Sequence, residues 1–223
     1  MMSEPANDRK GVPEGFSPKE RPDILAQAES AFLGFAAYKN ILYKITYIRL
    51  NGSFKLLALP NAGLGPFENI GLFCEKFKPN LPNTTGKDVG VGMYTNLVGD
   101  KYDYYFGQQV TSLDVIPDGL VGIDTHTKNF AVMMFIANTM HELVGDETGP
   151  GDAMQTAGEY IKTVWLPEHR DIAITDENGD CGKVIVDGKI YHTGTFEVYS
   201  EEYQAGGAPA MCFYIPLKEE SLR

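Results

Sequence analysis

Two amphipathic segments, set far apart among runs of β-prone residues, limit the fold more than any other feature of this chain. In the first, Ile70, Phe73, Cys74 and Phe77 form one apolar stripe at helical spacing. Gly65-Pro66 opens it, with proline at the first helical position where its missing N–H costs nothing, and Pro79 stops it. In the second, Met154, Ala157, Ile161, Val164 and Trp165 make the stripe. Asp152 with Gln155 three residues on resembles a capping box, and Pro167 ends the helix.

Strands are expected on either side of these helices. Leu42–Leu50 and Phe54–Leu59 flank Asn51-Gly52, a dipeptide suited to a tight hairpin. Val89–Asn96 and Tyr102–Val110 join across Gly99-Asp100, and Leu120–His126 forms a pair with Phe130–Ala137. Asp171–Thr175, Lys183–Val186, Gly194–Ser200 and Met211–Leu217 complete the set. Strands, helix and strand pair thus recur twice, over about 41–111 and 118–217. That order predicts an α+β fold: an antiparallel sheet built from duplicated βαββ units, since the connections are too short for crossovers. Residues 1–22 are polar, carry four prolines and show no apolar period, so they read as a flexible leader. Ile24, Leu25, Ala28, Phe32 and Phe35 recur at helical spacing after Asp23, which predicts an N-terminal helix over 23–40. A single domain over 41–223 then remains.

With 19 basic and 30 acidic residues the formal charge is −11, which argues against nucleic-acid binding because phosphate contacts need a basic face. No apolar run approaches the roughly 18 residues of a membrane span, and the N-terminus lacks the apolar centre of a secretory signal. A cytoplasmic location is expected. Cys74, Cys181 and Cys212 are odd in number and lie far apart without a CxxC, as fits a reducing compartment. Asn51-Gly52-Ser53 and Asn83-Thr84-Thr85 are read as turns.

Several motifs fall short. Gly63-Leu64-Gly65 lacks the third glycine of a dinucleotide fingerprint, and His141-Glu142 lacks the second histidine of a zinc-protease helix. Asp176, Asn178 and Asp180 imitate a calcium loop, but Cys181 replaces its glycine and Asp187 its bidentate glutamate. The four histidines are dispersed, and no serine or cysteine stands in a nucleophile context. No metal and no cofactor is called for.

What stands out is aromatic. Twelve Tyr and twelve Phe include the run Tyr102-Asp103-Tyr104-Tyr105-Phe106, which on a strand puts Tyr102, Tyr104 and Phe106 on one face. In Thr195-Phe196-Glu197-Val198-Tyr199, alternation separates Phe196 and Val198 from Glu197 and Tyr199. Glu197 is either an ordinary sheet-surface charge or a carboxylate held among rings, where burial without a partner is costly.

A helix ending in WLPEH, a later TFEVY strand and a terminal YIPL strand resemble the gyrase-inhibitory-protein-like (GyrI-like) effector-binding family. YDYYFGQQV at 102–110 and FAVMMF at 130–135 resemble that family's central strands, so the likeness runs from about Leu42 to Leu217. It implies two βαββ repeats about a pseudo-twofold, with a ligand cleft between the two helices. It also implies that Glu197 faces the cleft and pairs with cationic ligands, with Tyr104, Tyr199, Tyr214 and Trp165 as candidate walls. The family occurs fused to DNA-binding domains and alone, and the lack of a helix-turn-helix here suggests the stand-alone form. The implied function is binding of small hydrophobic or cationic aromatic molecules, as a sensor, sequestering protein or toxin modulator. Two alternatives stay open. One is hydrolysis of reactive cyclopropane-type compounds by Glu197 with Tyr104 or Tyr199. The other is a protein–protein module whose acidic surface meets a basic partner.

Overall fold

The computed structural model describes residues 27–39, 41–50, 53–98, 101–125, 128–146, 149, 151–173, 183–186, 189–200 and 209–218. The expected leader, 1–22, and the calcium-like segment at 176–180 lie outside them. The fold is mixed α+β: ten antiparallel strands in one sheet, with few helices. The strands are β1 (Gln27–Tyr38), β2 (Ile41–Leu50), β3 (Lys55–Pro60), β4 (Val89–Val98), β5 (Lys101–Val110), β6 (Val121–Asp124), β7 (Asn129–Ile136), β8 (Lys183–Val186), β9 (Lys189–Ser200) and β10 (Ala210–Pro216). The helices are α1 (Pro66–Leu72), α2 (Met140–Val144), α3 (Asp152–Tyr160) and α4 (Leu166–Glu168), with a 3-10 turn at Lys78–Asn80. The last two carry the helical path through Pro167 and Pro79, the expected stops.

The sheet order is β1-β2-β7-β10-β9-β4-β5-β3-β6-β8, and β9 pairs with β8 as well. That extra pairing joins β9, β4, β5, β3, β6 and β8 into a ring. β2 and β3 behave as two legs of one long strand, paired along their length with β7 and β6. Their backbone bonds continue across the bend, Leu50 N to Lys128 O at 2.8 Å and Thr125 N to Phe54 O at 3.1 Å.

This bend overturns two expected hairpins. β2 and β3 do not pair with each other, and neither do β6 and β7; Asn51-Gly52 lies outside the described residues. The β4–β5 hairpin is as expected, Val98 opposite Lys101. The helix expected over 23–40 is also corrected: Gln27–Tyr38 is a strand. Gly34 has φ +139°, which no α-helix accepts, and the segment gains a full-length partner, from Gln27 opposite Leu50 to Tyr38 opposite Ile41. Pairing of that length outweighs a local spacing preference. The strand expected at Asp171–Thr175 is reduced, within the described residues, to one bridge between Ala173 and Leu217.

Both long helices form where expected. Gly65 caps α1 with Pro66 in its first turn, and the Gly65 amide donates to Glu68 Oε2 at 3.1 Å. Gly151, rather than Asp152, caps α3. Each helix continues through a π-turn, Phe73–Phe77 and Ile161–Trp165. The wider turn corrects the rotational drift of the α3 stripe, so Ala153, Ala157, Tyr160, Ile161 and Trp165 are all buried.

Three apolar layers result. The ring interior holds Val89, Val91, Met93, Phe130, Phe196, Val198 and Tyr214, among others. A second layer, under α3, holds Tyr43, Phe135, Trp165 and Phe213. The third, beside α1, holds Leu57, Phe73, Tyr104 and Phe106.

β5 crosses β3 so closely at Gly107 that a Cβ there would lie 2.6 Å from the Ala58 Cα and strike the Leu57 carbonyl. Gly107→Ala should therefore cost about 3 kcal/mol, since backbone rather than a side-chain end must yield. Gly71→Ala, on the open face of α1 with nothing within 4 Å, should be neutral or gain about 0.5–1 kcal/mol. Urea unfolding of both variants measures the contrast.

Candidate functional site

β9 fixes the site by alternation. Phe196 and Val198 point into the ring interior, so Glu197 and Tyr199 must point to the other face. There Glu197 pairs in register with Gly92 of β4, and Tyr199 with Gly90. Gly92 in turn lies opposite Phe106 of β5, and Tyr94 opposite Tyr104. Because Val89, Val91 and Met93 fill the interior, the first part of β4 presents Gly90, Gly92 and Tyr94 outward. Aromatic side chains of β5 and β9 lie across that bare strip.

The contacts show how closely they lie. A Cβ on Gly92 would stand 2.5 Å from Tyr104 Oη and 2.8 Å from Glu197 Oε2, and one on Gly90 would stand 2.9 Å from Phe106 Cζ. Tyr94 and Tyr104 have ring centroids 4.8 Å apart, and Phe106 and Tyr199 6.1 Å apart. Phe73, in the π-turn after α1, meets Phe106 edge-on at 5.5 Å. Tyr199 packs against both outer layers, the one under α3 and the one beside α1.

Glu197 is the charge-bearing group of this assembly and is only 7% exposed. The Tyr199 hydroxyl donates to its Oε2 at 3.0 Å. Burial lifts its carboxyl from the usual 4.5 to about 7, while hydrogen bonds from Tyr199 and Tyr104 pull the other way. Burial also drives the Tyr199 phenol well above its usual value, and the neighbouring Glu197 charge adds to the effect. The site therefore offers a carboxyl that is part acid and part carboxylate near neutrality, with phenols as donors and rings as walls.

Of the residues singled out from sequence, Glu197, Tyr199 and Tyr104 come together. Tyr214 does not: it is opposite Phe196 in register, fully buried inside the ring and 5.7 Å from the Phe130 ring, on the far side of the sheet from Glu197. Its strand alternates with Met211, Phe213 and Ile215 facing α3, so Tyr214 is a core residue rather than a wall. Trp165 is buried in the layer under α3, where it stacks on His169 at 4.3 Å. Sequence reasoning missed Gly90, Gly92, Tyr94 and Phe106 as parts of the site. The Val89-Gly90-Val91-Gly92 alternation carried the signal, since a strand with glycine at successive outward positions invites close cover.

The chain matches no protein-family model, and no curated protein matches it.

The lifted Glu197 value makes stability depend on pH in a defined sense. Between 4.5, where the unfolded side chain ionises, and about 7, the native protein keeps a proton that the unfolded chain has released. Stability should therefore fall as pH rises through that window and level off above it, by about 3 kcal/mol in all. Glu197→Gln should remove this slope, as seen by urea unfolding at intervals from pH 4 to 8.

Proposed function

We propose that this protein binds small hydrophobic or cationic aromatic molecules at the Glu197 face of β9, as a sensor, sequestering protein or toxin modulator. The observation that carries the reading is a carboxyl 7% exposed, bonded by the Tyr199 hydroxyl and flanked by aromatic rings. A flat cation entering this setting gains Coulomb attraction in a low dielectric and cation–π contact with the walls. Both attractions tolerate changes of ligand shape, which favours a broad ligand class over a single substrate.

The proposal takes the chain as a GyrI-like effector-binding domain made of two βαββ units over about 41–111 and 118–217. Strand pairings support that duplication. β3–β5 and β4–β5 in the first half correspond to β7–β10 and β9–β10 in the second, and β2–β7 corresponds to β6–β3. In this reading the ligand lies between the helices of the two units, where Tyr199 meets both outer layers.

A second reading draws on the Glu197 value near 7, which suits a general base at neutral pH. Glu197, oriented by Tyr104 or Tyr199, would take a proton from water as that water attacks a carbon of a strained electrophilic ring. The ring C–C bond breaks, its electron pair passes to the carbon beside the ring's electron-withdrawing group, and that carbon then takes the proton back from Glu197. Turnover of an activated cyclopropane by wild type but not by Glu197→Gln would establish it, and a rate no faster than buffer would exclude that substrate class.

For the binding reading, ethidium fluorescence titration should give an affinity at least about tenfold weaker in Glu197→Gln, equivalent to ~1.4 kcal/mol. Equal affinities, or no binding by wild type, would overturn it.

A further inference from the structure

We propose that Gly92 is the positioning residue of this site: its missing side chain lets the Tyr104 hydroxyl reach the Glu197 carboxyl, and that contact sets how strongly the site prefers a cationic over an uncharged ligand. The second half of the statement rests on the ligand reading above; the first does not.

Two strands converge on one point. Glu197 comes from β9 and Tyr104 from β5, on opposite sides of β4, and both are buried, Tyr104 to 1% exposure. Their oxygens reach across the β4 backbone, and the space a Cβ would take at Gly92 is the space they share, 2.5 Å from Tyr104 Oη and 2.8 Å from Glu197 Oε2. With any side chain at position 92, one oxygen must withdraw. The Tyr104 hydroxyl is the nearer, and its approach favours the charged form of the carboxyl. The groups facing Glu197 are Tyr199 on its own strand and Tyr104 on β5, with the Tyr94 phenol of β4 beside Tyr199. None carries positive charge, so loss of one donor is not made good by a cation.

The conflict at Gly92 differs in kind from that at Gly107. What an added methyl meets here is the far end of two side chains, whereas at Gly107 it meets backbone. Gly92→Ala is therefore expected to fold, with Tyr104 displaced.

The test is a double-mutant cycle on Gly92→Ala, Tyr104→Phe and the pair together, read first in ligand-free protein by ¹³C NMR titration of the Glu197 carboxyl. Each single change should raise the titration midpoint by about half a unit or more, because each removes the same donor. The double variant should titrate like Tyr104→Phe alone, since with the hydroxyl gone there is nothing left to displace. An unchanged midpoint in Gly92→Ala, or additive shifts in the double variant, would overturn the inference. Should Gly92→Ala unfold, the double variant, freed of the nearer clash, must fold and titrate like Tyr104→Phe; its failure to do so overturns the inference equally. Ethidium and the uncharged dye Nile red then read preference. The ratio of their affinities at neutral pH should fall about twofold or more in either single variant, because a midpoint raised by about half a unit from near 7 leaves about half as many sites charged. An unchanged ratio would overturn the link to preference. Binding of neither dye by wild type would sink the ligand reading while leaving the titration to decide the role of Gly92.

Discussion

The withdrawal of one carboxyl from water is the constraint around which the outer face of this sheet is arranged. Glu197 is buried, and the groups that act on its charge are its own desolvation and two phenolic hydroxyls. An isolated carboxylate in such a place would be held out of water at a cost of several kcal/mol. Tyrosine donors reduce that cost without cancelling it, because a neutral hydroxyl stabilises a carboxylate less than a cation does. The result is a group near the midpoint of its titration at neutral pH, poised between two charge states rather than committed to either.

The architecture makes this arrangement possible through alternation on three adjacent strands. β9, β4 and β5 send Phe196, Val198, Val89, Val91, Met93 and Tyr105 into the interior, so their intervening residues meet on the outside. Had β4 carried ordinary side chains at 90 and 92, the aromatic residues of its neighbours would have been pushed apart. Two glycines instead let Phe106 and Tyr104 lie down on the β4 backbone. Glycine weakens a strand by leaving nothing to pack; here the neighbours supply the packing that the glycines omit. The same alternation explains why Tyr214, one register position along from the expected wall, belongs to the opposite face.

Much of this was legible in the residues. Runs of β-prone residues identified the nine strands from Ile41 onward, and Pro66 marked the start of α1, because both signals are local. The expected stops did not hold, since helical turns run on through Pro79 to Asn80 and through Pro167 to Glu168. Period-two patterning also separated Glu197 and Tyr199 from Phe196 and Val198. Local patterns did not carry the partner of each strand. Asn51-Gly52 has the chemistry of a hairpin, yet β2 and β3 run as one bent strand against β7 and β6, a choice made by contacts some 80 residues distant in the chain, such as Arg49 with Asn129. Likewise Phe32 and Phe35 have helical spacing, but the free edge of β2 recruits their segment as β1. The Gly92 cradle was hidden for the same reason: its meaning lies in side chains from two other strands.

A group that weakens the fold at neutral pH invites the question of why it is there. Glutamine at 197 would keep the hydrogen bond from Tyr199 and shed the titration penalty, and leucine would pack with the rings around it. Neither alternative gives the site a charge. The Tyr199 hydroxyl likewise donates to a carboxyl instead of to water, the Tyr104 hydroxyl is buried beside it, and β4 gives up two side chains to admit them. Local rules of strand stability are thus set aside here by glycine, acid and buried phenol together. Departures gathered around one ionisable group in this way support the proposed ligand site, since stability alone does not ask for them.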